Sequence, residues 1–366
     1  MPRLAIAGYY GFGNTGDEAI LESTILALRS QIPGAEFSVL TNDPEGTRAA
    51  HGVNVVPRLS PLAVARALRE SDLLVFGGGS LLQDATSLRS LLYYLSVLLS
   101  AQALGKPTMV YANGIGPVNS RAGRMATRLV LNRVSAMTLR DDDSARQVRM
   151  LGITRPRVKV TADPAFALQP AGASAARSIL ETEGITPGTC RLVGVSLRPW
   201  KSSPHLPEVM AAACDAIHES LGATVVLIPM QHTHDAPLAG SVQALARRPV
   251  AVLRRRCTPR ELMACVGLMD AVVGMRLHSL IFAVAMAVPA AGISYDPKVE
   301  AFLNAVGCPS LGGPNEVTAA SMCELVKYLL DNSAAIKYRL SASRQQLREL
   351  ALENARIARS LLHKIG

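Results

Sequence analysis

Long apolar runs are missing from this sequence, which excludes a chain built around membrane-spanning helices. A spanning helix needs about 20 consecutive, mostly apolar residues. The two nearest stretches, 91–104 and 281–293, are broken by polar residues or by Pro289. We therefore expect both to be buried elements of a globular fold. The short apolar segment 4–7 runs into a glycine-rich turn, which is typical of a first strand rather than a signal peptide.

Paired cysteines and abundant aromatic residues are also missing. The six cysteines are scattered without a CxxC pair, which argues against zinc ribbons and small disulfide scaffolds. We expect reduced thiols in a cytoplasmic protein. Aromatic residues make up 4% of the chain and do not alternate with basic residues on any predicted strand, which disfavours a nucleic-acid surface.

Apolar aliphatic residues and positive charge are plentiful. The chain has 366 residues, of which 49% are hydrophobic, enough for the cores of two domains. Its formal charge is +10 at pH 7. Such a balance attracts nucleic acid, anionic membrane surfaces or phosphorylated small molecules, and by itself it does not choose among them. A generally basic protein is the plain alternative.

Short β-rich segments alternate with helical segments along the chain, which predicts an α/β fold with parallel sheets. We predict strands at 4–7, 37–40, 73–76, 108–111, 136–139, 158–161, 192–196, 224–229, 250–253, 271–273 and 290–293. The segment 169–174 has the composition of a linker. We therefore predict two Rossmann-like domains facing a cleft, 1–169 and 175–332, and an amphipathic helix at 333–366 that packs on a domain face.

In open parallel sheets ligands bind at the carboxyl ends of the strands, so the loops that follow strands are the candidate sites. In the first loop, Asn14 and Asp17 suit sugar hydroxyls, although Asp17 is equally well explained as a helix cap. Gly78 and Gly79 leave room for a ligand or for a crossing backbone. Asn113 is the candidate ligand contact after the strand at 108–111.

Several basic or metal-ligating residues also follow predicted strands. Arg140 suits a ligand in the cleft, with an ion pair to Asp163 or a neighbouring aspartate as the alternative. Arg198 lies two residues before the single tryptophan, Trp200, so stacking and anion binding are both available; a packed tryptophan beside a solvent-exposed arginine is the alternative. His232 and His234 form a His-x-His pattern, but no third ligand is evident, and a polar substrate-facing loop is the better interpretation.

The strongest local feature is the segment Gly-Met-Arg-Leu-His-Ser at 274–279. A buried strand ends at Gly274 and a helix begins near Leu277, so Arg276 and His278 lie at a helix N-terminus. That end carries partial positive charge and free N–H groups, and an arginine there makes a site for carboxylate or phosphate. Histidine serves as a general acid or base near neutral pH. Lys298, after the last predicted strand, supplies a second cation.

Seven motifs, in this order along nearly the whole chain, resemble the polysaccharide pyruvyltransferase family, and most closely its CsaB-type cell-wall polymer enzymes. They are GNTGDEAI, GGGSLLQD, NGIGP, LRDDDS, ADPAF, GMRLHS and YDPKV. The resemblance implies a fold like that of the GT-B glycosyltransferases, with phosphoenolpyruvate as the donor. It implies a cytoplasmic enzyme that forms a cyclic pyruvate ketal on a sugar and needs neither a cofactor nor a metal.

The resemblance also implies roles for particular residues. Arg276, Leu277 and His278 match the donor segment of the family, and His278 is the candidate general acid or base. Lys298, Arg198 and Arg140 are further candidates for the donor. Asn14, Asp17, Asn113, Gly78 and Gly79 are the candidates for the acceptor.

The implied acceptor is an N-acetylmannosamine unit of a lipid-diphosphate-linked precursor. The basic charge then suggests peripheral contact with the cytoplasmic membrane surface, and a homo-oligomer is compatible with the sequence. The main rival is a GT-B glycosyltransferase with a nucleotide-sugar donor, for which Glu300 or Glu316 would bind the ribose. A non-catalytic sugar-binding protein and a nicotinamide dehydrogenase fit less well, since Arg276 and His278 are both present and the first loop lacks the dinucleotide fingerprint.

Overall fold

A computed structural model describes residues 1–85 and 87–363. The chain divides into two compact units. The first contains residues 1–168 and the segment that starts at Leu347, and the second contains residues 169–346. Each unit has one parallel sheet flanked by helices.

The sheet of the first unit has seven strands in the order β3-β2-β1-β4-β5-β6-β7, and every pairing is parallel. The strands are β1 Arg3–Ala7, β2 Glu36–Thr41, β3 Asn54–Pro57, β4 Leu73–Gly77, β5 Thr108–Asn113, β6 Ala136–Leu139 and β7 Arg157–Val160. The central strands β4 and β5 are buried along their whole length. Continuous apolar runs of this kind are typical of strands covered on both faces.

Six α-helices connect these strands, and a short 3₁₀ helix follows β7. They are α1 Thr15–Gln31, α2 Pro44–His51, α3 Pro61–Glu70, α4 Leu88–Ala103, α5 Arg121–Leu131, α6 Asp142–Met150 and the 3₁₀ helix Pro164–Ala167. Helices α3 to α6 share one hydrophobic core on one face of the sheet, and α1 contributes to a second core on the other face. Helix α2 and strand β3 were not predicted from the sequence. Strand β3 has four residues, lies at the edge of the sheet and ends in a proline, so its pattern is weak.

The second unit has a five-stranded parallel sheet in the order β10-β9-β8-β11-β12. Its strands are β8 Arg191–Ser196, β9 Ala223–Leu227, β10 Val250–Val252, β11 Ala271–Gly274 and β12 Ala290–Gly292. Its helices are α7 Ala173–Thr182, α8 Leu206–Leu221, α9 His232–Leu245, α10 Pro259–Val266, α11 Leu277–Ala285, α12 Pro297–Val306 and α13 Ala319–Asp331.

The last helix, α14, runs from Ser333 to Leu362 and corresponds to the helix predicted at 333–366. Residues 364–366 of that prediction lie outside the described residues. The end of α14 belongs to the core of the first unit, where Ala355 and Ala358 are fully buried. There the side chain of Asn354 accepts a hydrogen bond from Thr161 at 2.8 Å.

Both sheets reverse their strand order once, between β1 and β4 in the first unit and between β8 and β11 in the second. Ligands of open α/β sheets bind at such switch points, outside the carboxyl ends of the strands. The predicted fold class, α/β with two Rossmann-like domains and a C-terminal amphipathic helix, is confirmed. Among the described residues, no helix is long and apolar enough to cross a membrane.

Candidate functional site

The loop after β1 leads to the N-terminus of α1 at the switch point of the first sheet. Asn14 is the N-cap of α1, and its Oδ1 accepts a hydrogen bond from the amide of Gly16 at 3.1 Å. The capping role that was the alternative for Asp17 therefore belongs to Asn14. Asp17 lies in the first turn of α1, where the positive end of the helix stabilises a carboxylate.

Glu18, the neighbour of Asp17, folds the loop back onto the helix. Its Oε1 accepts a hydrogen bond from the amide of Gly11 at 2.8 Å. Burial, together with the negative charges of Asp17 and Asp43, raises the pKa of Glu18 from 4.5 to about 7, although hydrogen bonds from the amides of Gly11 and Phe12 oppose the shift. A partly buried carboxyl group with a raised pKa thus supports the first loop.

Gly78 and Gly79 follow β4 with left-handed φ angles of 60° and 70°. A Cβ on Gly78 would lie 2.0 Å from Cγ2 of Ile20 in α1, so this glycine is required for the close approach of the helix. A Cβ on Gly79 would lie 3.2 Å from Oδ1 of Asp17. The two glycines thus differ, because Gly78 accommodates α1 and Gly79 lies beside the Asp17 carboxylate.

Asn113 ends β5 and joins this cluster. Its Nδ2 donates to the carbonyl of Gly78 at 3.0 Å. Its Oδ1 is buried and has no hydrogen-bond partner among the described residues. Ala112 has a φ of 47°, and the register between β5 and β6 shifts at this point. The strained turn directs the end of β5 towards the Gly78 backbone.

Arg140, at the end of β6, is held by ion pairs within the first unit. Its Nη1 lies 3.5 Å from Asp163 and its Nε lies 3.4 Å from Asp141. Its Nη2 donates to the hydroxyl of Ser80 at 2.8 Å. The ion-pair alternative for Arg140 is therefore confirmed, and its role towards the donor stays a prediction. The structure thus brings together the five predicted acceptor residues with Arg140 at one sheet edge.

An aromatic cluster near the same loop was not predicted. The guanidinium carbon of Arg58, which follows β3, lies 4.4 Å from the ring centre of Tyr93, 5.0 Å from Phe12 and 5.5 Å from Tyr94. The rings of Tyr9 and Phe12 stack with their centres 4.1 Å apart. These contacts fasten the first loop to the end of β3. No sequence signal could find Arg58, because β3 itself escaped prediction.

In the second unit, β11 passes directly into α11, and Arg276 is the N-cap residue of this helix. Its Nε and Nη2 donate to the two carboxylate oxygens of Asp235, at 3.1 and 2.5 Å. Asp235 is 2% exposed and also accepts from the amide of Gln231 at 2.9 Å. A bidentate pair of this kind fixes the plane of the guanidinium group. Nη1 of Arg276 takes no part in this pair.

The sequence predicted an anion site at the start of α11, and that role stays a prediction. Arg276 makes no side-chain cap to the helix, and the amide of Ser279 donates to the carbonyl of Arg276 at 3.0 Å. His278 is partly exposed in the first turn, whereas Leu277 is buried. Ser196, opposite Gly274 in the adjacent strand β8, has a fully buried hydroxyl without a hydrogen-bond partner among the described residues.

The loops after β8 and β12 meet through an arginine and two aromatic rings. The guanidinium carbon of Arg198 lies 4.6 Å from the ring centre of Tyr295 and 5.7 Å from that of Trp200. The centres of the two rings are 5.1 Å apart. The alternative of a solvent-exposed arginine beside a packed tryptophan is therefore wrong. Stacking on the rings orients Arg198 and stabilises its charge.

Lys298 lies at the start of α12 with its Nζ 3.0 Å from Asp296, the N-cap of that helix. Both side chains are about one-third exposed, at 31% and 32%. An ion pair of this exposure contributes little to stability, so Lys298 keeps freedom to turn towards a ligand. Its role beside Arg276 stays a prediction.

The two histidines at the start of α9 differ in their surroundings. Burial, followed by the charge of Arg256, lowers the pKa of His232, while Nδ1 of His234 lies 2.9 Å from the hydroxyl of Thr233. The nearby carboxylate of Asp235 is engaged by Arg276. Across the part of the chain that the structure describes, no group of three or more His, Cys, Asp or Glu side chains could hold a metal ion.

Two residues at the carboxyl edge of the second sheet were not predicted from the sequence. Asp235, the carboxylate next to the His-x-His pattern, lies in the first turn of α9, and its partner Arg276 is 41 positions away, so no local pattern connects the two. Ser196 was passed over because a serine at the end of a strand is unremarkable in sequence. Both lie next to predicted donor residues in the folded chain.

Comparison with known proteins relates the whole chain to one family. Residues 14–297 match the sequence profile of the polysaccharide pyruvyl transferase family. The chain is also similar to the amylovoran biosynthesis protein AmsJ of Erwinia amylovora, with 21% identity over 424 aligned positions that cover 100% of both chains.

Solved structures with UDP-linked ligands have a similar fold. HepE of Anabaena, in complex with UDP and glucose, has a TM-score of 0.66 and 14% identity, with 99% of each chain covered. The UDP-GlcNAc 2-epimerase of Neisseria meningitidis, bound to UDP-GlcNAc, has a TM-score of 0.69 and 11% identity, with 99% of this chain and 100% of that chain covered. At these identities the likeness shows the fold alone, and it confirms the GT-B-like prediction.

Proposed function

Because the chain belongs to the polysaccharide pyruvyl transferase family, we propose that it transfers the pyruvyl group of phosphoenolpyruvate to a sugar. The product is a cyclic pyruvate ketal and the leaving group is inorganic phosphate. The acceptor is the N-acetylmannosamine unit of a lipid-diphosphate-linked cell-wall polymer precursor, as in the CsaB-type enzymes. The reaction takes place at the cytoplasmic face of the membrane.

The observation that carries the proposal is the fixed guanidinium group at the start of α11. The Asp235 carboxylate holds Nε and Nη2 of Arg276, so Nη1 can be directed at an anion beside the positive N-terminal end of α11. Arg198 and Lys298 follow β8 and β12, the two strands that flank β11. Three cations at neighbouring strand ends match the carboxylate and phosphate of phosphoenolpyruvate.

The reaction needs one proton delivered to carbon and two removed from hydroxyl groups. In our scheme His278 delivers a proton to the methylene carbon, so that C2 becomes electron-deficient. One sugar hydroxyl attacks C2 and loses its proton, and the bond from C2 to the bridging oxygen breaks as phosphate leaves with a proton. A second hydroxyl of the same sugar then attacks C2, loses its proton and closes the ketal. Arg276 and Arg198 stabilise the charge that develops on phosphate.

The first unit supplies the acceptor side of the proposal. Asp17 and Asn113 present a carboxylate and a buried amide oxygen at the switch point of the first sheet, and both are acceptors for hydroxyl hydrogens. Gly79 leaves space beside Asp17. These residues suit a neutral sugar better than a phosphate, because a carboxylate repels phosphate.

The proposal is tested by incubating the protein with phosphoenolpyruvate and a panel of lipid-diphosphate disaccharides. Phosphate release and a product whose mass corresponds to a ketal on N-acetylmannosamine are expected. Phosphate release with another sugar would correct the acceptor while leaving the donor in place. An absence of phosphate release with every acceptor in the panel would count against the proposed reaction.

His278→Ala gives the most direct test of the mechanism. General acid-base catalysis contributes about 10²–10⁴-fold to a rate, so we expect the turnover number to fall within that range while phosphoenolpyruvate still binds. Calorimetric titration measures the binding and phosphate release measures the turnover. His363→Ala, at an exposed position just after α14, is the matched control and should keep its activity. Full turnover by His278→Ala would remove His278 from the mechanism.

A GT-B glycosyltransferase is the rival, and two solved structures of similar fold hold UDP-containing ligands. It would release a nucleoside diphosphate instead of phosphate when supplied with a nucleotide sugar. The carboxylate of Glu316, one candidate for the ribose, instead accepts a hydrogen bond from the amide of Gly313 at 2.9 Å. The family assignment favours pyruvyl transfer.

A further inference from the structure

The outer surface of α4 and α5 combines exposed apolar side chains with arginines. The two helices are neighbours on one face of the first sheet, and the side chain of Gln102 in α4 donates to the carbonyl of Val130 in α5 at 3.0 Å. We call their solvent-facing residues the α4–α5 face. It consists of Arg89, Leu92, Leu99, Arg121, Arg124, Met125, Arg128 and Leu129, all exposed.

The apolar side chains of this face are large and follow helical spacing. Leu92 and Leu99 of α4 are 43% and 40% exposed, and Met125 and Leu129 of α5 are 74% and 54% exposed. Spacings of seven and of four residues place each pair on one side of its helix. Single exposed apolar residues are ordinary, but grouped ones indicate a surface that binds protein or membrane.

The charge of the same face has one sign. Helices α4 and α5 contain no aspartate or glutamate, whereas Arg89, Arg121, Arg124 and Arg128 all lie on the exposed side. Within residues 1–85 and 87–363, no ion pair involves any of these four arginines. Their charge is therefore available to an anionic partner.

The adjacent end of α3 extends the pattern. Leu59 and Leu62 are 75% and 85% exposed, and Arg66 and Arg69 are exposed on α3. Contacts between α3 and α4 place this group beside the α4–α5 face. Apolar residues interspersed with arginine on helices that lie flat on a surface are typical of interfacial membrane binding.

We propose that the α4–α5 face binds the surface of an anionic lipid bilayer. The four arginines contact lipid headgroups, and the leucine and methionine side chains enter the boundary with the acyl chains. A second copy of the protein fits less well, because a symmetric contact joins the same patch of both copies. Such a contact would bring eight arginines together without an acidic residue on either pair of helices.

This inference deepens the proposed function, because a lipid-linked acceptor would be reached from the bilayer surface. It concerns binding and not transfer, so the two can fail separately. If phosphoenolpyruvate does not support transfer, vesicle binding is still expected. If vesicles do not bind, pyruvyl transfer to a delipidated acceptor is still expected.

The full-length protein is sedimented with vesicles of phosphatidylcholine alone and with vesicles that also contain phosphatidylglycerol. We expect binding to the mixed vesicles only, and release as the salt concentration rises, because salt screens charges at a surface. Equal binding to both kinds of vesicle, or no binding to either, overturns the proposal.

Two double variants separate the charges from the apolar residues. Arg121→Gln with Arg124→Gln should weaken vesicle binding on the order of thirtyfold, since each basic residue near an anionic surface contributes about a fivefold change. Met125→Ser with Leu129→Ser should weaken it about tenfold. All four positions are exposed, so both variants should keep the thermal unfolding temperature of the wild type.

Matched controls carry the same changes on the exposed side of α14 and α13. Arg344→Gln with Arg348→Gln removes the same charge, and Tyr328→Ser with Tyr338→Ser removes exposed apolar surface; both should bind like the wild type. Equal weakening by a control pair would show a response to net charge or to apolar area anywhere, and would overturn the assignment to this face.

Sedimentation velocity without vesicles measures whether the protein associates with itself. Self-association that the α5 variants abolish would assign the face to a second copy of the chain instead.

Discussion

The carboxyl edges of the two sheets carry opposite kinds of polar side chain on the same architecture. The edge of the first unit presents Asn14, Asp17 and Asn113, which are uncharged or negative, and Arg140 at this edge is paired with Asp141 and Asp163. The edge of the second unit presents Arg198 and Arg276, which are positive. Two sheets with the same switch-point topology thus offer one edge suited to hydroxyl groups and one suited to anions. The loops, and not the strand order, decide which ligand each edge can take.

The two edges also differ in how their side chains are held. In the first unit the backbone holds them, since Asn14 binds the amide of Gly16 and Asn113 binds the carbonyl of Gly78. In the second unit other side chains hold them, since Asp235 binds Arg276 and aromatic rings stack on Arg198. A cation at a ligand site needs a partner that fixes its direction, whereas an amide can be fixed by the main chain.

The strongest test of this difference is Asp235→Asn. Removing one partner of a buried ion pair leaves an uncompensated charge and costs about 3–5 kcal/mol, so the free energy of unfolding should fall by an amount in that range. The Michaelis constant for phosphoenolpyruvate should rise, because Arg276 loses its orientation. Urea denaturation and phosphate release measure the two effects. Asp296→Asn, which breaks the exposed pair with Lys298, is the control and should cost under about 1 kcal/mol.

The partly buried carboxyl of Glu18 makes the first edge sensitive to pH. Its pKa is raised from 4.5 to about 7, so the folded protein holds this proton more tightly than the unfolded chain. The resulting stability is fully present below pH 4.5 and is lost as the pH rises through about 7, by up to about 3 kcal/mol. Glu18→Gln keeps an oxygen for the amide of Gly11 and removes the titration.

Urea denaturation of the wild type and of Glu18→Gln between pH 5 and pH 8 checks this prediction. This range includes the raised pKa of Glu18, about 7. The wild type should lose stability relative to the variant as the pH rises. Parallel curves would mean that Glu18 keeps an ordinary pKa. Glu45→Gln, in the exposed first turn of α2, is the control and should run parallel to the wild type.

Tyr295→Leu tests the aromatic support of the second edge. A cation-π contact contributes roughly 0.5–2 kcal/mol, so we expect the Michaelis constant for phosphoenolpyruvate to rise about threefold to thirtyfold with little change in the turnover number. Tyr295→Phe keeps the ring and should behave like the wild type. An unchanged Michaelis constant in Tyr295→Leu would mean that the orientation of Arg198 does not matter for the donor.

The smallest effect is expected at Asn14, where a cap and a proposed ligand contact coincide. Asn14→Ala should lower the free energy of unfolding by about 1 kcal/mol through loss of the cap, and Asn14→Ser should restore it. If Asn14 also contacts the acceptor sugar, both variants raise the Michaelis constant for the acceptor. Normal acceptor kinetics in Asn14→Ser would leave Asn14 with the capping role alone.

Local patterns made most of the elements predictable. Strand β6 was predicted at its observed bounds, 136–139, because apolar periodicity and flanking breakers are local properties of a chain. The passage from β11 into α11 was predicted for the same reason. The short edge strand β3 and the eight-residue helix α2 were not predicted, because neither has enough apolar residues to show a period.

The sequence by itself determined the alternation of strands and helices, the loops that carry polar residues, and the order of motifs that identifies the family. Only the tertiary structure decided which of those residues meet. Asp235 and Arg276 are 41 positions apart and become partners because β9 and β11 flank β8 in the sheet. Arg58 follows the edge strand β3 and contacts Tyr93 of α4 and Phe12 of the first loop. These three residues are distant in sequence and meet only when the first sheet and its helices have folded. Periodicity reports which face of an element is buried, but strand order is set by packing across the whole chain, and contacts between distant loops follow from that order.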